Sequence, residues 1–400
     1  MLRRSSTGIQ EGIILLAVFL TPFFSTIEVI GLLDLNVDLS GVDMWMLKVP
    51  KDILVLASIL VGAAHGYWRD SPVSLGSFVL LSITVVASVA VSAAYMPLEA
   101  FAAGFRWLSP IAFYLTLGRL RGGFFVKMSR LLQLLLGIAI ALQLYQLLFM
   151  AGYYGQTQSG FSVRNPGFYL FPSTMAAFAM ATLYFTTRFE ASRKRRVLVH
   201  FATILSVGLT ASGTGVVSLA LFTMSLLGKR EHVALRVIAA TGIGISAVLL
   251  LPALTNRDDI MESLATRIGI LLEQMDISTV VFSKSFGAGT NVLVALVGLQ
   301  PDRLDKVPAI IADSMISASI LNAGFLFLVV VAYEIFVRPS RAQQGPNLLY
   351  LCTFLPFYIT TGLFESFPVN ILMFLALSTI LSTECAPDSC VLSVDARASG

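Results

Sequence analysis

Charge is scarce in this sequence. Asp, Glu, Lys and Arg supply 12% of its 400 residues, where soluble domains carry about a quarter. Hydrophobic residues reach 56% and the mean hydropathy is +0.83, which excludes an ordinary water-soluble chain. Cysteine is scarce as well. Cys352 lies in an apolar run and Cys385 and Cys390 near the end, so no disulfide can staple the polar stretch 255–313. No His or further Cys accompanies the last pair to complete a metal site. Internal repeats, low-complexity tracts and nucleic-acid-binding modules are all missing. The net charge of +4 comes largely from Lys and Arg in connections between apolar runs, where such residues set membrane orientation.

What the sequence does have is a succession of runs long enough, at about 20 residues, to cross a hydrocarbon core of about 30 Å. They predict an all-α polytopic membrane protein with about twelve transmembrane helices, forming one embedded domain over 1–383 and a short cytoplasmic tail, 384–400. Arg3 and Arg4 precede the first run, 12–32, which has no small-residue cleavage site and so reads as a span with the N-terminus inside. Runs at 53–68, 73–95, 100–117, 131–151 and 167–187 then alternate across the membrane. Basic loops containing Arg119, Arg121, Lys127 and Arg130, and then Arg188 and Arg193 to Arg196, fall inside. The stretch 197–228 lies between two basic clusters, so a single helix would place one of them outside. Two helices of about 15 residues, about 22 Å each, instead form a hairpin with Ala211-Ser212-Gly213-Thr214-Gly215 at its outer tip. Runs at 235–254, 314–337, 347–363 and 369–383 complete the set and leave both termini cytoplasmic.

The segment 255–313 is then a large extracytoplasmic loop. Within it Ile260, Met261, Leu264, Ile268, Leu271, Leu272 and Met275 recur at helical spacing, and Thr255 with Asp258 fits a capping box. This amphipathic helix is expected to lie on the outer surface. Arg267 stands at the edge of its apolar stripe, where it reads equally as a snorkelling residue and as a functional one. Arg106 lies inside its span, a costly place for a charge and hence a candidate by default, and Arg164 precedes Asn165-Pro166. Among carboxylates at the same level, Asp313 and Glu365 each sit where a span meets the outer surface, although Asp313 also suits a helix start. His65, His200 and His232 all fall on the cytoplasmic side. Phe286-Gly287-Ala288-Gly289-Thr290-Asn291 has the form of an anion-binding nest, and turn chemistry explains it as well.

In their order along the chain, several of these features resemble the O-antigen polymerase and ligase family, integral membrane glycosyltransferases acting on undecaprenyl-diphosphate-linked sugars. The matching stretches are Gly160-Phe161-Ser162-Val163-Arg164-Asn165-Pro166, the tip Thr210-Ala211-Ser212-Gly213-Thr214-Gly215, Arg267 followed by the 286–291 stretch, Asp313-Ser314 with Asn322-Ala323-Gly324, and Glu365. Two departures stand out. The tip lacks the family's arginine, and Asp313 stands where ligases usually have a histidine.

The resemblance implies that Arg164 and Arg267 hold the lipid diphosphate through paired charge-assisted hydrogen bonds that Lys cannot reproduce; Arg106, a candidate from its place inside a span, is expected to join them. A sugar hydroxyl would attack the anomeric carbon while Asp313 or Glu365 accepts its proton and arginines stabilise the departing diphosphate. No cofactor or metal is required. The expected partners are the undecaprenyl-diphosphate-linked oligosaccharide, membrane lipids and a chain-length regulator, with no nucleic acid, at a bacterial inner membrane. With every histidine inside, a polysaccharide polymerase is favoured over a ligase that transfers glycan to a lipid core. A lipid-linked oligosaccharide flippase is the rival from another class, and a membrane scaffold is a third reading. Transporters typically carry internal repeats and midplane sites in broken helices, and the sequence displays neither clearly.

Overall fold

The protein is all-α in the computed structural model, which describes residues 2–23, 25, 44–67, 73–118, 120–149, 165–169, 171–227, 281–290, 314–339 and 346–381. Among these residues no strand occurs. The helices are α1 (Leu2–Phe19), α2 (Met44–Ala64), α3 (Leu75–Ser92), α4 (Leu98–Leu115), α5 (Gly122–Phe149), α6 (Pro172–Phe189), α7 (Arg193–Thr210), α8 (Gly213–Leu227), α9 (Met315–Ala323), α10 (Phe325–Ala332), α11 (Pro346–Thr360) and α12 (Val369–Leu381). Every expected apolar run meets one of them except 235–254, which lies outside the described residues. By length and apolarity, Leu75–Ser92 and Gly122–Phe149 alone among the described helices suffice to cross a membrane unaided. Thr7–Phe23, Gly213–Leu226, Phe325–Val337, Asn347–Thr360 and Val369–Ile380 are apolar but shorter. The helices therefore establish the fold class and leave the number of crossings open.

Helix ends differ from the apolar boundaries. Lys127 and Arg130, expected in a loop, are on α5, and Arg193 to Arg196 are on α7. The backbone ladder needs no apolar side chain, and Lys and Arg are good helix formers. The hairpin expected over 197–228 is present, with Ala211 turning it at φ 48°. Its arms pack elsewhere more than on each other: α7 against α6 and α5, α8 against α11 and α6.

At the centre is α6, in contact with α5, α7, α8, α11 and α12. Every residue from Thr174 to Thr186 is buried. Ala176, Ala177, Ala179 and Ala181 keep its surface shallow enough for so many neighbours, as small residues do between packed helices.

A second pattern is inverted relative to a helix in water. The buried positions of α3 are Ser77, Leu81, Thr84, Ser88 and Ser92, while Leu75, Phe78, Val79, Ile83 and Val86 are exposed. The polar stripe faces protein and the apolar one faces out.

The run 314–337 was expected to be one helix and is two. Gly324 breaks it at φ 89°, a conformation that glycine adopts without steric penalty. The break accommodates the 281–290 segment, since a side chain on Gly324 would meet the Val281 carbonyl. Carbonyls left without helical partners at the end of α9 are taken up by hydroxyls. Ser283 and Ser285 donate to Leu321 O, and Ser88 Oγ donates to Ala323 O at 3.2 Å. On the other side, Ser283 N–H donates to Ser88 Oγ (3.0 Å) and Phe286 N–H to Ser92 Oγ (2.9 Å). The Phe286 ring fills the space left by Gly104 and meets Phe101 and Phe105.

Elsewhere one amide joins three helices. Gln10 on α1 is fully buried; its Nε2 donates to Ser58 O (3.2 Å) and Thr116 O (3.1 Å), and its Oε1 accepts from Gly118 N–H (3.0 Å). Gln10→Leu keeps the volume but strands these groups, and is expected to destabilise the protein by about 2–3 kcal/mol, read as a lowered unfolding midpoint.

Candidate functional site

Arg106 and Glu365, chosen from distant parts of the sequence, line the same cleft. Trp107, next to Arg106 on α4, is 2% exposed and packs its ring 5.4 Å from that of Phe364, next to Glu365. Burying this aromatic pair carries the two polar neighbours to a common edge. Asp52, Ser109 and Asn370 complete the polar lining, with Val55, Trp107, Phe364 and Phe367 as apolar walls.

The turn bearing Glu365 is held from within. Glu365 N–H donates to Gly362 O (3.1 Å) and Phe367 N–H to Glu365 O (3.1 Å). Asn370 Nδ2 donates to Phe364 O (2.8 Å), and Ser366 Oγ donates to Gly362 O (3.2 Å). From α2, Lys51 Nζ stands 6.0 Å from the centre of the Phe367 ring, a cation–π contact at the cleft's border.

Arg106 is already engaged. Its Nε donates to Asp52 Oδ2 at 2.7 Å, and the side chains are 25% and 40% exposed. The diphosphate-binding role expected for Arg106 is therefore open only in competition with this carboxylate. The cleft encloses only about 20 Å³, room for roughly one water, so its two carboxylates, guanidinium and hydroxyl are suited to hydrogen-bonding one hydroxyl of a ligand lying at its mouth and taking a proton from it.

Arg164, Arg267 and Asp313 lie outside the described residues, as does the amphipathic stretch 255–275. Their described neighbours are well anchored. Asn165 N–H donates to Leu209 O (3.0 Å), while Gln143 Nε2 donates to Asn165 O (2.8 Å). Gln146 grips Gly167 at both its N–H and its carbonyl. After Asp313 the helix start is served by Ser314, whose hydroxyl and that of Ser317 form a reciprocal capping box, so the capping residue is Ser314 itself.

The hairpin tip joins the same end of the molecule. Thr214 and Thr360 hydroxyls are 2.8 Å apart, and those of Thr174 and Ser366 3.4 Å. The 286–290 stretch is not a free anion nest: Gly287 and Gly289 N–H groups both donate to Asn322 Oδ1 at 3.1 Å, and residues 286–290 are buried. Turn and packing chemistry account for its glycines. Neither His65 nor His200 lines the cleft.

Sequence reasoning missed Asp52, Ser109 and Asn370. Asp52 stands one residue before the apolar run at 53, where a charge reads as a boundary; only its partner on another helix gives it meaning. No protein-family model matches the sequence and no curated protein matches it, so the chemistry of the cleft and its neighbours carries the functional argument by itself.

Proposed function

We propose that the protein is an integral membrane glycosyltransferase of the O-antigen polymerase type. It would transfer a glycan chain from undecaprenyl diphosphate to a sugar hydroxyl of a lipid-linked repeat unit at the outer face of a bacterial inner membrane. The observation that carries this reading is the meeting of Arg106 and Glu365, with Asp52, in one polar cleft. In the proposed reaction Glu365 accepts the proton of the attacking hydroxyl, and Arg164 and Arg267 take the diphosphate, with Asp313 the alternative base.

The inside-out α3 supports a bilayer as solvent, because exposed Leu, Phe, Val and Ile around a buried Ser/Thr stripe suit lipid rather than water. Exposed Leu134, Ile138, Leu148 and Phe149 on α5 extend the argument. Contacts between helix ends fit an alternating arrangement of the helices. Residues expected outside touch one another, as Thr214 does Thr360, and residues expected inside do the same, as Glu11 does Arg121.

The test is chain extension in vitro from purified lipid-diphosphate repeat units with no core acceptor. Polymer is the expected product. Failure to polymerise, with transfer of preformed chains to an added core lipid, would make the protein a ligase. A flippase reading is favoured by one observation, the helix broken at Gly324 beside polar side chains. Cells lacking a flippase accumulate cytoplasmic-face precursor, whereas cells lacking a polymerase accumulate single exported repeat units.

A further inference from the structure

The Arg106–Asp52 contact uses only part of the guanidinium. Nε is bonded to Asp52, while among the described residues Nη1 and Nη2 have no hydrogen-bond partner, and the side chain is partly exposed on the cleft. A planar guanidinium presents two donors along each of its forked edges, the geometry that grips phosphate oxygens in pairs. Asp52 satisfies one donor and neutralises the charge without filling the fork.

We propose that Asp52 is an internal stand-in for an anionic substrate group: it holds Arg106 while the cleft is empty and yields it when a diphosphate ester arrives. This rests on the reading of the cleft as part of a glycan-transfer site and adds a switch to it. The physical case is competition. A half-exposed ion pair made through one hydrogen bond is weakly held, and a diphosphate brings more charge and more acceptors to the same fork. The carboxylate also repels the incoming anion, and Glu365 on the same cleft adds to that repulsion. Arg106 is thus kept from binding stray monovalent anions and released to a ligand dense enough in charge to displace Asp52. After the glycan has left, the returning carboxylate helps expel the diphosphate product.

Binding of inorganic pyrophosphate and of farnesyl diphosphate to the purified full-length protein in detergent micelles tests this without any turnover. Asp52→Asn is expected to tighten binding about tenfold by removing the competing charge. Asp52→Glu should bind as the parent does, and Arg106→Gln and the Asp52→Asn/Arg106→Gln double variant should lose the gain. A stronger response to farnesyl diphosphate than to pyrophosphate assigns the group to a lipid carrier, and an equal response to the free diphosphate. Unchanged or weaker binding by Asp52→Asn overturns the proposal, since Asp52 would then only orient Arg106. Tightening that survives in the double variant overturns it too. Neither result bears on polymer formation, which the chain-extension assay decides separately.

Discussion

Replacing Gly287 with alanine is expected to drive the 281–290 segment from its seat, at a local cost above about 4 kcal/mol, in the range reserved for the most damaging substitutions. Two effects act together. Gly287 has φ 88°, where an L side chain is strained by about 1–2 kcal/mol. The added carbon would also overlap the carbonyl oxygen of Ala100 on α4, and a backbone atom of a packed helix cannot swing aside. If the segment leaves, Asn322 loses both its N–H donors and Leu321 O its two hydroxyls. The measurement is thiol labelling of Ala288→Cys in a background without native cysteine. Ala288 is fully buried, so the thiol should be protected in the parent and reactive once Gly287→Ala is added. Equal protection in both would mean that the segment tolerates the side chain and that the packing argument is wrong.

Glu365→Gln is expected to lower the rate of chain extension by about a hundredfold, the usual scale for losing a general base, with little change in protein yield. The substitution keeps the size of the side chain and the backbone hydrogen bonds that shape the turn. What disappears with the negative charge is the ability to take a proton. Asp313→Asn is the companion experiment, because a comparable loss there with a nearly active Glu365→Gln would move the base to Asp313. Replacing His65, His200 and His232 should leave the rate close to that of the parent. A rate unchanged by either carboxylate substitution would remove Glu365 and Asp313 as the base.

The positions of the helices were legible because apolar runs are local: 73–95 announces α3 and 369–383 announces α12 without help from elsewhere. Their ends were less so. The run at 131 gives no hint that α5 begins at Gly122, because hydrogen bonding along a helix does not stop where the apolar surface stops. The break at Gly324 was hidden inside a run that stays apolar through Phe325–Ala332, and its cause is a segment some forty residues earlier. Within the cleft, Arg106 and Glu365 could be singled out because a charge inside a span and a carboxylate in a very short turn are conspicuous on their own. Asp52 could not, since nothing near it names Arg106. Gln10 was likewise invisible beside the N-terminal polar flank, its role resting on three backbone groups of α2 and the α4 end.

The seat of the 281–290 segment also fixes an order of assembly. Half of it, Ser88, Ser92 and Ala100, has been synthesised long before the segment appears, and the other half, Leu321 and Asn322, comes after it. A nine-residue α9 has too few turns to be stable by itself, and the Leu321 carbonyl near its end finds its hydroxyl partners only when Ser283 and Ser285 are home. A nascent chain that has reached residue 290 can dock the segment against α3 and α4 alone, held on one side. Only when Gly324 has emerged can the other side close, so the segment is held on both sides only once α9 is in place.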